Sequence, residues 1–247
     1  MSHERQPRAF LPAAKTGLNS GAKLLHFKHM YFASRVQAGR MLAAQMSPKY
    51  RYENCAVVAI DLGGLMVGAQ IAIQLHCPIN LLLSEAINLP SEPDAIASIA
   101  QDGSFMFNAN YSEGELSELV SEYYQYIEQQ KLEKLDKIHR LLGVGGTIRK
   151  DLLRGRYIIL VSDGLKNGHV LDIAVQYLKP VSTEGIVIAT PLASVPAVDY
   201  MHVLADDLYC LSVVDNFLDT PHYYDKDDIP DQKKSVEIIE KIVLKWH

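Results

Sequence analysis

The sequence predicts an α/β protein, an open and mostly parallel sheet with helices on both faces. Three observations carry that expectation. An apolar run, Tyr157-Ile158-Ile159-Leu160, is followed by a glycine-punctuated turn and an amphipathic stretch over 170–178. A second unit starts at Cys55-Ala56-Val57-Val58-Ala59-Ile60, turns at Asp61-Leu62-Gly63-Gly64 and continues as a helix over 65–75. Beyond these, short apolar runs alternate with segments of helical period, the pattern of parallel strands joined by crossover helices.

Taken in order, residues 1–26 are polar and broken by Pro and Gly, and read as a partly mobile arm ahead of a domain over 27–247. Residues 31–46 set Phe32, Val36, Met41, Leu42 and Met46 among small and polar residues, as in a helix laid on a core. Ile79-Asn80-Leu81-Leu82-Leu83 is a second strand, leading into a long loop broken by Pro90 and Pro93. Runs at 95–100 and 104–107 flank Gln101-Asp102-Gly103; the Asp-Gly turn permits positive φ, so a small hairpin excursion is expected. From 115 to 141 the period changes: Leu116, Leu119, Tyr123, Ile127, Leu135 and Ile138 recur as on a long amphipathic helix. Gly143 to Gly146 stop it. After the central unit come a strand at 184–189, a short helix at 196–203, a strand at 207–213 and a tyrosine-rich loop. A last helix at 233–246 is docked by Trp246.

Composition narrows the classes. With 48% hydrophobic and 21% charged residues the chain is foldable, and 247 residues suffice for one sizeable core. A formal charge of −5 makes nucleic acid an unexpected ligand. No stretch approaches the roughly 20 apolar residues of a membrane span, so no membrane partner is expected. Cys55, Cys77 and Cys210 are odd in number and widely spaced, with neither a zinc-like spacing nor a nucleophile motif around them. Reduced, buried thiols and a cytoplasmic location are expected.

The most informative segment is Val161-Ser162-Asp163-Gly164-Leu165-Lys166-Asn167-Gly168-His169-Val170. A tight turn between strand and helix presents unpaired N–H groups and the positive end of a helix above the sheet. That is where an open α/β protein holds a phosphate.

With these pieces placed, the chain resembles the type I phosphoribosyltransferase family, in particular a subgroup known by fold alone. The resemblance covers about 31–246. It rests on the helix at 31–46, on the strand and turn at 57–64, on 87–103 from Ile87 to Gly103, on 161–170, on 187–191 and on Phe217 and Tyr223-Tyr224 with the terminal helix. It implies binding of phosphoribosyl pyrophosphate, usually with magnesium, and transfer of its ribose phosphate to a nitrogen nucleophile. It also implies Asp163 as the catalytic carboxylate. The cofactor-binding set would be Ser162, Asp163, Gly164, Leu165, Lys166, Asn167, Gly168 and His169, with Asp61, Gly63 and Gly64 on the pyrophosphate side; the metal ligands are left open.

Three stations depart from the family pattern. Of its two adjacent carboxylates one is Ser162 here, and its threonines give way to Lys166-Asn167 and Val170. Its arginine before the glycine pair is replaced by Asp61, and the basic residues after the second strand by Ser84-Glu85. A carboxylate beside a polyphosphate repels it unless a metal bridges them. The expectation is therefore a phosphoribosyltransferase-like protein without efficient transfer, keeping phosphate or nucleotide binding on the Gly164–Gly168 turn. Two alternatives stand beside it: an active phosphoribosyltransferase, and a structural or partner-binding protein that works through the long helix.

Individual residues carry competing readings. Asp163 either holds ribose hydroxyls or caps its own turn. Lys166 meets a phosphate or is solvated, and Asn167 donates to an oxygen or simply suits the turn. A lone His169 is more often structural than an acid–base group. Asp61 would share magnesium with Asp163 if the strand ends converge, a weak signal from two carboxylates alone. Glu92 and Asp94 read as solvated loop acids. Tyr223 and Tyr224, beside His222 and the acids Asp225, Asp227 and Asp228, are favoured as pins for the C-terminal loop over stacking on a base. A homodimer is expected, in contact through the long helix and the arm, with roughly 1,600 Å² buried.

Overall fold

A computed structural model describes residues 31–90, 92–108, 110–142 and 150–243. The N-terminal arm, the Gly143–Gly146 stop and Trp246 lie outside them. The chain runs α1 (Arg35–Tyr50), β1 (Cys55–Ala59), α2 (Leu62–Leu75), β2 (Ile79–Leu81), β3 (Ser84–Asn88), β4 (Ala95–Ala100), β5 (Phe105–Phe107), α3 (Glu113–Leu142), β6 (Tyr157–Val161), α4 (His169–Leu178), β7 (Gly185–Ser194), α5 (Val195–Leu204), β8 (Asp207–Val214) and α6 (Gln232–Val243). Five strands form a parallel sheet in the order β2-β1-β6-β7-β8. This is the α/β sheet that the alternation of apolar runs predicted.

The central strands β1, β6 and β7 are buried on both faces, and their two-residue period sorts side chains between two cores. Val57, Ala59, Ile159, Val161 and Val187 join Leu42, Met46, Leu65 and Ile71 on the side of α1 and α2. Ala56, Val58, Ile158, Leu160 and Ile188 join Leu171, Ile173 and Tyr177 of α4 with Ala197 and Met201 of α5. Each large apolar side chain so buried contributes about 1.5–3 kcal/mol.

The excursion is larger than a hairpin. β3, β4 and β5 make a three-stranded antiparallel sheet, and β3 occupies what the sequence offers as a loop. Only Ile87 of β3 is buried, so the segment lacks the alternation that would mark it; pairing with β4 makes it a strand. The long helix α3 covers this sheet. Ile127, Ile138 and Leu142 are buried, while Leu116, Leu119, Tyr123 and Leu135 pack partly against the same core. Its backbone leaves helical geometry at Tyr123, where φ is −105° and ψ 19°.

Three boundaries also move. Helix α1 starts at Arg35, because the Ser34 hydroxyl caps it by accepting from the Gln37 N–H at 3.2 Å. Helix α2 starts at Leu62 with Asp61 as its cap, so Gly63 and Gly64 lie in its first turn rather than before it. Strand β7 does not stop at residue 189: it passes Pro191 and pairs with β8 as far as Ser194. Among the described residues no helix is long and apolar enough to cross a membrane.

Candidate functional site

β1 and β6 are neighbouring parallel strands with Ala59 opposite Val161. Two residues beyond those ends lie Asp61 and Asp163, so both carboxylates emerge together at the carboxyl edge of the sheet, where open α/β sheets place ligands. The convergence required for the two to act jointly is present.

Asp61 is spent on the chain itself. Its Oδ1 accepts a short hydrogen bond from the Gly64 N–H, capping α2, and its Oδ2 accepts from the Ser162 hydroxyl at 2.6 Å. Gly63 and Gly64 are needed by the same close approach. A Cβ on Gly63 would lie 2.0 Å from Asp163 Oδ2, and one on Gly64 would lie 2.4 Å from the Val161 carbonyl oxygen. Burial and the charge of Asp163 push the Asp61 carboxyl up to about 8, against the pull of its bonds to Ser162 and Gly64. The Asp61 carboxyl therefore holds a proton more tightly than an ordinary carboxylate does.

Asp163 is held by a residue that the sequence reading passed over. Arg35 at the start of α1 is fully buried, and its Nε donates to Asp163 Oδ2 at 2.6 Å. Its Nη1 donates to Asp228 Oδ1 at 3.1 Å, with Asp227 at 3.5 Å. The guanidinium lies 4.5 Å from the centre of the Tyr224 ring, whose hydroxyl donates to the Asp163 carbonyl at 2.6 Å. Burial alone would lower the Arg35 pKa; the bonds to Asp163 and Asp228 outweigh it and hold it above its ordinary value. Burial raises Asp163, against the pull of Arg35. A signal for Arg35 was available: it shares the helix face of Ala38, Leu42 and Met46, and a charge on a buried face needs a partner. Tyr223 and Tyr224 are both buried and pin the loop after β8, with Tyr224 bridging to Phe32.

The turn after β6 is closed by internal contacts. The Gly164 N–H donates to Ser162 Oγ at 3.2 Å and the Leu165 N–H to the Leu192 carbonyl at 3.0 Å. The Ser194 hydroxyl donates to the Lys166 carbonyl at 2.7 Å. Gly164 packs against Leu192 and Thr220, and Gly168 lies under the Tyr200 ring. The side chains of Lys166 and Asn167 are exposed. His169 opens α4, but its side chain is outside what the structure describes.

Between these elements is a cleft of roughly 330 Å³, lined by Arg35, Asp61, Gly63, Ser84, Glu85, Asp163 and Thr220 with an apolar wall that includes Leu62, Leu83 and Ile229. Glu85 is answered from α3, by Lys137 at 2.7 Å and Lys134 at 3.6 Å. Glu92 and Asp94 are not among the lining residues. Burial pushes the thiols of Cys55 and Cys210 up to about 11, so neither is a ready nucleophile.

The sequence pattern of a phosphoribosyl transferase domain matches residues 30–226. The chain belongs to the phosphoribosyl transferase family. Proteins named “Putative phosphoribosyl transferase” in two strains of Mycobacterium tuberculosis, CDC 1551 and H37Rv, are each 28% identical over 187 residues, covering 73% of this chain. The chain spans only 40% of the length of those relatives. The crystal structure of TT1426 from Thermus thermophilus shares the fold, with a TM-score of 0.64 at 23% identity; the match covers 88% of this chain and 99% of that one.

The phosphoribosyl pyrophosphate that the family resemblance implies does not fit the described residues of this cleft. The N-terminus of α2, the natural seat for a pyrophosphate, is filled by the Asp61 carboxylate. Arg35 is the one cation among the described lining residues, and three carboxylates already engage it. Magnesium needs only one or two carboxylates beside water and phosphate oxygens, and Asp61 and Asp163 are the pair on this lining that would hold it.

Proposed function

We propose that this chain is a phosphoribosyl transferase family member that has lost efficient transfer from phosphoribosyl pyrophosphate and keeps a ligand-binding cleft. The Asp61 carboxylate on the N-terminus of α2 carries that reading. Transfer requires the departing pyrophosphate to be positioned and its growing charge neutralised, which is most of what the protein contributes. The seat is occupied rather than merely charged: the Asp61 side chain takes the Gly64 N–H that a phosphate oxygen would use, and Asp163 beside it is already engaged by Arg35.

The Gly164–Gly168 turn offers little in compensation, because the N–H groups of Gly164 and Leu165 bond within the chain. Calorimetry with phosphoribosyl pyrophosphate and magnesium, paired with an assay for pyrophosphate release over a panel of nucleobases, tests the reading. Neither binding nor release is the expected result. Micromolar affinity followed by release with any base would establish an active transferase instead.

A further inference from the structure

The long helix α3 has a second face that the described residues leave uncovered. Ile127, Ile138 and Leu142 are buried beneath the helix, and Leu116, Leu119, Tyr123 and Leu135 pack partly against the same core. The stripe that made the sequence suggest a dimer is thus turned inward. On the outer side Tyr124 is 60% exposed and Leu132 73%. Tyr124, Glu128 and Leu132 follow one another every fourth residue, so they form one ridge along the helix. An open groove of roughly 600 Å³ lies beside it, with Ser121, Glu122, Tyr124, Gln125 and Gln129 on its lining.

Charge is divided unevenly along the same helix. Its first half, 113–127, carries Glu113, Glu115, Glu118 and Glu122 and no lysine or arginine. All four cations of α3, Lys131, Lys134, Lys137 and Arg140, are in the second half, among Glu128, Glu133 and Asp136. An anionic surface such as nucleic acid or a lipid headgroup layer would be repelled by the acidic half. A parallel copy of the helix would set acid against acid. An antiparallel copy sets the acidic half of each helix on the cationic half of the other, and a two-fold axis makes both contacts at once. The midpoint of α3 falls at Ile127 and Glu128, so an axis there overlaps the two helices over their whole length. Tyr124 and Leu132 are four residues on either side of Glu128, which brings Tyr124 of each copy level with Leu132 of the other.

We propose that α3 docks antiparallel on α3 of a second copy of this chain, about a two-fold axis beside Glu128. The outer ridge of Tyr124 and Leu132 supplies the apolar contact, and the uneven charge of the helix sets its direction. A strip about 45 Å long and about 10 Å wide is near the lower limit for a specific interface, so the dimer dissociates on dilution.

Sedimentation velocity of the full chain from about 1 μM to about 300 μM tests the pairing. Half-dissociation is expected at about 10–100 μM, moving up by about threefold or more when salt is raised from about 0.05 M to about 0.5 M. Leu132→Glu, at an exposed position, should weaken the dimer by about tenfold or more, with circular dichroism confirming an unchanged fold. Orientation is read from self-cross-linking under mild oxidation, with the wild-type chain as control. Glu128→Cys, beside the axis, should give a disulfide-linked dimer, whereas Glu118→Cys, about 15 Å from the axis along each helix, should not. Any other cross-linking pattern overturns the antiparallel arrangement, and links at both positions mean a parallel one. A monomer at every concentration overturns the proposal, including one in which other parts of the chain shield Tyr124 and Leu132. So does a dimer that Leu132→Glu leaves intact, since its contact would lie on a different surface.

Discussion

The Arg35 guanidinium and the Asp163 carboxylate, 128 residues apart in the chain, meet at 2.6 Å in a buried ion pair. The contact ties the first described helix to the turn that follows the central strand. It also shapes the cleft, because a carboxylate on its lining is engaged by the protein itself. Removing one partner of a buried pair leaves an uncompensated charge. Arg35→Ala is accordingly expected to lose about 3–5 kcal/mol of stability. Urea unfolding followed by circular dichroism measures it, and adding Asp163→Asn should recover part of the loss. A single variant as stable as wild type would mean that the pair holds nothing together.

Asp61 gives the fold a pH dependence of defined sign. Its ordinary pKa is 3.8 and its folded value about 8, so the folded chain holds this proton more tightly than the unfolded chain does. The resulting stabilisation is fully present below 3.8 and is lost as pH rises through about 8. Wild type should therefore lose stability relative to Asp61→Asn over that window, by at most about 1.4 kcal/mol per pH unit. Urea midpoints of both proteins at about pH 5 and about pH 8.5 provide the comparison. Parallel changes in the two would show that Asp61 binds no extra proton on folding.

Two glycine substitutions should differ in sign. Gly63→Ala would drive a Cβ to 2.0 Å from Asp163 Oδ2, displacing the carboxylate from Arg35. A loss of about 1–3 kcal/mol is expected from the overpacking alone. Gly114 lies in the first turn of α3 with nothing within 4 Å of the same position. Gly114→Ala should gain about 0.4–1 kcal/mol through helix propensity and a less free unfolded chain. Thermal melts of the two variants beside wild type test the pair.

Tyr224→Phe removes a hydroxyl and leaves the ring against Arg35. The lost bond to the Asp163 carbonyl, 2.6 Å long and buried, should cost about 1–3 kcal/mol because the acceptor is left without that partner. Chemical denaturation gives the number. A loss well above this range would mean that the ring itself had moved off Arg35.

Much of this molecule was legible in local pattern. Short apolar runs alternating with amphipathic stretches gave the parallel sheet and the order of its helices. The Asp102-Gly103 turn located the hairpin of β4 and β5. The meeting of Asp61 and Asp163 could be foreseen because neighbouring parallel strands end on one edge. These are short-range consequences of side-chain period and backbone preference, and a few consecutive residues suffice to express them.

Other features belong to the tertiary structure alone. β3 carries a single buried residue, and its strand character comes from pairing with β4 rather than from its own sequence. Arg35 looks like any polar residue near the start of a helix until burial takes its water away and leaves Asp163, Asp228 and Tyr224 as its surroundings. Whether Asp61 carries a charge depends in the same way on its burial and on Asp163, 102 positions further along the chain. A strand's period is a property of adjacent residues, but a carboxylate's proton and an arginine's partners are set by the local field and dielectric. Those exist only once distant segments have come together.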